Sequence, residues 1–103
     1  MNMHLTLRKL LTIVCEADLE RTLVALLNSH GAGGYTITDA RGHGAHGERD
    51  GSWPPSANIR IEVLCDERLA TTIAADLQAR YYEGYGMITF ISDVQVLRPE
   101  KFK

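Results

Sequence analysis

A chain of 103 residues has room for one small domain and none for a separate catalytic partner domain. Its 45% hydrophobic and 23% charged residues match an ordinary soluble globular protein, and a formal net charge of −2 speaks against a surface built for nucleic acid or anionic lipid. No apolar run approaches membrane-spanning length, and the opening residues 1–9 lack the apolar centre of a signal peptide, so a cytoplasmic protein is expected.

Leu10 to Cys15 is an apolar run of strand length. Asp18 then offers an N-cap, and Leu19, Leu23, Leu26 and Leu27 recur at helical spacing. Gly31, just past His30, reads as the left-handed residue that ends this helix. Tyr35 to Arg41 is the second strand. Residues 42–57 show no apolar period and carry Gly42, Gly44, Gly47, Gly51, Pro54 and Pro55, the composition of a long functional or disordered loop.

From Asn58 to Leu64 the alternation is clean, with Ile59, Ile61 and Val63 inward and Arg60 and Glu62 outward. Asp66 caps a second helix carrying Leu69, Ile73, Leu77 and Tyr81. Residues 83–86 form a glycine turn, Ile88 to Val96 make a fourth strand, and Pro99 ends regular structure. The order is βαβ, long loop, βαβ. Two such units interleaved in one antiparallel sheet, with both helices on one face, give an α+β ferredoxin-like βαββαβ sandwich. A domain this small buries modest area, and Tyr35, Ile37 and Phe90 suggest that other subunits cover part of the open face. Cys15 and Cys65 make no metal spacing and fit a reducing compartment better than a disulfide framework.

Gly33 to Gly44 is the most informative stretch. Thr36 and Thr38 project to one face of a strand that runs into a glycine-studded loop, where backbone N–H groups can turn toward an anion. The second glycine turn, around Gly84 and Gly86, lies where the fold can bring it near the first only along a sheet edge or subunit boundary.

Residues 34–44, Gly-Tyr-Thr-Ile-Thr-Asp-Ala-Arg-Gly-His-Gly, resemble the strand leading into the T-loop of the PII signal-transduction family. Residues 84–88, Gly-Tyr-Gly-Met-Ile, resemble that family's B-loop, and the element order matches over nearly the whole chain. Residues 1–103 thus read as a single PII-like domain with a T-loop at about 42–57 and a B-loop at about 83–88. The chain looks nearer the PII-like branch tied to bicarbonate uptake and carboxysomes than the nitrogen-regulatory members. The resemblance implies a homotrimer with adenine nucleotides in clefts between subunits, and a T-loop whose shape follows the ligand and controls a partner. That partner would be a bicarbonate transporter or a carboxysome-associated protein, with neither nucleic-acid binding nor membrane insertion. Met87 stands where nitrogen-regulatory members carry a phosphate-holding lysine. Losing that ammonium hurts a triphosphate most, so ADP and AMP are preferred, with cyclic AMP, ATP and bicarbonate as further ligand candidates and no resident cofactor or metal. No tyrosine lies between Gly42 and Ala57, which leaves uridylylation without an acceptor there, and the sequence as far as Lys103 brings no cysteine-bearing tail.

The resemblance makes Gly34, Tyr35, Thr36, Ile37, Thr38, Gly42, Gly44, Gly84, Tyr85, Gly86 and Met87 nucleotide-binding candidates, and Arg98 aligns with a C-terminal phosphate-binding arginine. Arg41, His46 and Arg49 flank or lie in the loop; His46 is placed with the nucleotide, Arg49 and Trp53 with a protein partner. Each has a plainer reading. The threonines are good strand formers, the glycines punctuate turns, Tyr85 suits an interface as well as a base, and the arginines suit solvent. His43 and His46 lack a third ligand for zinc. No serine–histidine–acid set is present, so a regulatory binder is expected rather than an enzyme. The alternative is a small hydrolase of a nucleotide or acyl phosphate on the same fold, with Asp39 its only strand carboxylate near the loop. A metal-tolerance trimer is a weaker third reading, resting on the histidines and Cys15 and Cys65.

Overall fold

The computed structural model describes residues 4–42, 58–98 and 100. Strand β1 (Thr6–Glu16) leads through a single 3-10 turn (Ala17–Leu19) into helix α1 (Glu20–Ser29) and strand β2 (Thr36–Ala40). Strand β3 (Asn58–Cys65), helix α2 (Glu67–Tyr81) and strand β4 (Ile88–Val96) repeat the pattern. The four strands form one antiparallel sheet in the order β2-β3-β1-β4, the ferredoxin-like arrangement expected from the βαββαβ order.

β1 starts earlier than its apolar run because polar residues pair there too: Thr6 faces Val96 and Lys9 faces Asp93. Lys9 makes ion pairs with Asp93 and with Glu67 in the first turn of α2, tying the sheet to the helix start. The period-two pattern of β3 is obeyed, with Ile59, Ile61, Val63 and Cys65 buried and the residues between them half-buried. Ile37, placed at the open face by the sequence, lies on the other side. It pairs with Ile61, and direct partners share a face, so its side chain packs on the helix-covered core.

That core joins Leu11, Ile13 and Cys15 of β1 to the inward residues of β3, Leu23, Leu26 and Leu27 of α1 and Ala70, Ile73 and Leu77 of α2. Each fully buried aliphatic side chain contributes roughly 1.5–3 kcal/mol. The opposite face has no helix. There Leu10, Thr12 and Val14 of β1 lie between Arg60, Glu62 and Leu64 of β3 and Ile88, Phe90 and Ser92 of β4. Ile88 and Phe90 are 53% and 44% exposed, whereas Thr12 is fully buried and its hydroxyl finds no hydrogen-bond partner among the described residues.

The helix ends follow local chemistry, with one correction. Asp66 caps α2 as expected, its Oδ1 accepting from the Leu69 N–H at 2.8 Å. Asp18 does not cap α1: it sits exposed inside the 3-10 turn, and the helix start is held by the backbone, the Glu20 N–H donating to the Ala17 carbonyl. At the other end Gly31 has φ +80°, Gly31 N–H donates to Asn28 O and Ala32 N–H to Leu27 O, both at 3.0 Å. This is a Schellman motif completed by burial of Ala32. His30, the C-cap, donates from Nε2 to Asp76 Oδ2 of α2 at 2.8 Å, and Arg80 Nε donates to Asp76 Oδ1 at 2.6 Å. The His30 bond first, then the Arg80 bond, hold the Asp76 carboxyl below its ordinary value.

Candidate functional site: an open-face groove and two glycine turns

Strand register decides which expected residues meet. Thr36 and Thr38 pair with Glu62 and Arg60 and therefore share the open face, as their spacing requires. At one end of that face the sheet carries an open groove of about 370 Å³. Gly34, Tyr35 and Thr36 form one wall, Val94, Gln95 and Val96 the other, and Leu10, Glu62 and Leu64 contribute from β1 and β3 between them. The lining side chains on the open face are aliphatic apart from Thr36 and the Glu62 carboxylate, while Gln95, paired with Leu7, belongs by alternation to the other face of β4. Arg60 Nη2 reaches Glu62 Oε2 at 3.4 Å, leaving the carboxylate half-exposed at the groove edge. A carboxylate in that position accepts from amino or hydroxyl donors and repels phosphate, so a nucleotide would turn its base or sugar toward Glu62, not its charged tail. Arg98, exposed, follows Val96 by two residues at this same end.

The glycine turns lie elsewhere. Gly42 follows β2 beyond Ala40, which pairs with Asn58, itself opposite Glu16. Gly84 and Gly86 precede Ile88, which pairs with Val14. Both turns thus leave the same end of the sheet, at opposite edges, three strand spacings or about 14 Å apart. That end is roughly 20 Å from the groove, the rise of β1 from Leu10 to Glu16. The expectation of a single threonine-and-glycine phosphate cradle is therefore not met within one chain. Thr36 and Gly42 stand at opposite ends of β2, and an extended strand cannot fold back on its own exit.

Inside one chain, nothing demands glycine at positions 34, 42 or 84. A β-carbon added at Gly34, Gly42 or Gly84 meets no atom within 4 Å, and among the described residues only Gly31 has a positive φ. Tyr85 is exposed, yet its ring sits edge-on to Tyr81, centroids 5.7 Å apart, and its N–H donates to Tyr81 O. Tyr81 packs against the core, while its neighbour Tyr82 is exposed. Met87 is 6% exposed and belongs to the core, so its side chain turns away from any ligand and its backbone is what it can offer. Gly44, His46, Arg49 and Trp53 lie outside the described residues, as does the His43–His46 pair. Among the described residues no three histidine, cysteine or acidic side chains gather to hold a metal ion, and no helix is long and apolar enough to cross a membrane. Leu10, Glu62, Leu64 and Val94 to Val96 escaped sequence reasoning. The outward alternation of β3 marked Glu62 as available, but its convergence with Thr36 depends on pairing register.

The fold and the groove define a ferredoxin-like domain with an open-faced sheet. The sequence profile of the family Nitrogen regulatory protein P-II matches residues 8–101. The chain belongs to the P-II family. Solved structures similar to it are PII-like members. A protein of Thermus thermophilus described as PII-like and signaling is 42% identical, with a TM-score of 0.82 over 98% of this chain and 100% of that one. CPII, a nitrogen regulatory PII-like protein from Thiomonas intermedia solved with ADP, AMP and bicarbonate, is 30% identical, with a TM-score of 0.85 over 98% of both chains. CPII solved with ADP and bicarbonate gives 31% identity and the same TM-score of 0.85, over 99% of this chain and 100% of that one.

Proposed function

We propose that this chain is a PII-like adenylate sensor. It assembles as a homotrimer and binds ADP or AMP ahead of ATP in clefts between copies, with bicarbonate as a second ligand and cyclic AMP a further candidate. Its segment 42–57 acts as a T-loop that signals to a partner in inorganic-carbon metabolism, a bicarbonate transporter or a carboxysome-associated protein, in the cytoplasm. The protein acts by binding, not by turnover.

The observation that carries this reading is the likeness, over 98% of both chains, to CPII, which has been solved with ADP, AMP and bicarbonate. The geometry of one chain supports it. A nucleotide that touched both the groove beside Thr36 and the turn at Gly84–Met87 would have to bridge about 20 Å in one protomer. Two copies set side by side remove that gap, one supplying Gly34 to Thr38 and Arg98, the other Gly42 and Gly84 to Met87. Space beside the β-carbon positions of Gly42 and Gly84 leaves room for the phosphates. His46 and Gly44 would close from the T-loop, and Arg49 and Trp53 would meet the partner.

Calorimetric titration with AMP, ADP, ATP and cyclic AMP, with and without bicarbonate, tests the ligand set, and light scattering on the same sample tests assembly. Saturable ADP and AMP binding by a trimer is expected. Absence of adenylate binding overturns the proposal, and magnesium-dependent release of phosphate from ATP replaces it with the hydrolase reading.

A further inference from the structure

The connection between α1 and β2 is where the fold hands over to the groove. His30 is held there by backbone and side chain alike. Its N–H is shared between the carbonyls of Leu26 at 3.1 Å and Leu27 at 3.2 Å, and its imidazole bonds Asp76, which Arg80 holds from the other side. Gly31 then reverses the chain and Ala32 plugs into the core. Beyond Ala32 the support stops. Gly33 and Gly34 are exposed with no neighbour within 4 Å of a β-carbon position, and Tyr35 is 40% exposed. The next fixed point is Thr36, paired with Glu62. Gly33 to Tyr35 is therefore a strap of about 10 Å at full extension, held at its ends and exposed between them. Two of its residues, Gly34 and Tyr35, are groove wall.

We infer that His30 is a positioning residue for the groove: its bond to Asp76 fixes the end of α1 against α2 and so sets where the Gly33–Tyr35 wall stands. The inference rests on the groove being the seat of the nucleotide. Only three residues separate Ala32 in the core from Thr36 in the sheet, so the wall takes its position from those two ends, and a shift of the α1 end changes the span that Gly33 to Tyr35 must cover. Asp76 and Arg80 lie on α2, remote in sequence from the groove-lining segments, and reach the end of α1 through the His30 bond.

The test compares the wild-type chain with His30→Ala, His30→Gln and Asp76→Asn. Gln keeps an N–H donor at the imidazole Nε2 position, so it restores the bond that Ala removes. Backbone order parameters from 15N relaxation, measured without ligand, should fall at Gly33 to Tyr35 in His30→Ala, stay unchanged in β1 and β3, and recover in His30→Gln. The AMP dissociation constant should rise about tenfold in His30→Ala, equivalent to about 1.4 kcal/mol, with a smaller rise in Asp76→Asn, whose amide oxygen still accepts but carries no charge, and His30→Gln close to wild type. Order lost equally throughout the sheet, or an unchanged AMP constant in His30→Ala, overturns the inference. Failure of the wild-type chain to bind AMP defeats the adenylate proposal instead, and the relaxation comparison then still decides whether His30 positions the strap.

Discussion

The guanidinium of Arg60 on β3 lies over the ring of Phe90 on β4, 6.0 Å from its centroid, with β1 running between the two strands. Arg60 thereby roofs the open face above β1, and its reach toward Glu62 makes one cation serve two partners. Beneath this roof lies Thr12, directly paired with both Glu62 and Phe90.

Thr12 carries a buried hydroxyl that finds no partner among the described residues, and an unsatisfied buried hydroxyl costs about 1–3 kcal/mol. Thr12→Val keeps the branched shape and removes the polar atom, so the variant should gain about 1 kcal/mol in urea denaturation. A loss of stability instead would mean that assembly supplies the missing partner.

Asp76 gives a pH dependence whose sign is fixed. Its carboxyl is held below an ordinary value of 3.8 by the His30 bond and then the Arg80 bond. The stabilisation is therefore present above 3.8 and is lost as pH falls through the lower native value. Asp76→Asn should lose stability near neutrality and show a flatter fall between about pH 5 and pH 2. Unfolding free energy of both proteins across that range checks it.

Burial, with Asp66 adding to it, pushes the Cys65 thiol up to about 11, and Cys15 is buried as well. Thiolate is the reactive form, so neither cysteine should react with a disulfide reagent at about pH 8 in the folded protein. In denaturant the count should rise to the two thiols of the sequence. Rapid native labelling of one thiol would contradict the buried placement.

Met87 stands where the family resemblance places a phosphate-holding lysine, but its side chain is core. Met87→Lys forces an ammonium toward an apolar interior and should cost about 2 kcal/mol or more, read as a fall in melting temperature. Met87→Leu, close in volume, should cost less than about 1.5 kcal/mol. The pair separates loss of packing from burial of charge.

Much of this architecture is written in short-range pattern. Alternation in β3, the cap at Asp66 and the stop at Gly31 each follow from one or two residues acting locally, and each is met in the structure. Asp18 misled because its side chain suits a cap while the backbone chose a 3-10 entry. Ile37 misled because face assignment on an isolated strand needs a neighbour, and Ile61 is supplied by a segment 24 positions later in the chain. The groove was illegible for the same reason: Leu10, Glu62 and Val94 to Val96 come from three strands whose convergence is a property of register. The glycine turns were visible, but the distance between Thr36 and Gly42 is set by the rise of β2, which composition does not convey.

Strand β1, one of the two interior strands, is made before the other three and, on one side, is the last to be satisfied. Thr6 waits for Val96 and Val14 for Ile88, so β1 has both flanks paired only after almost the whole domain has been synthesised. Completing the sheet therefore means closing the longest loop between paired strands of the domain, the kind of non-local pairing that slows folding.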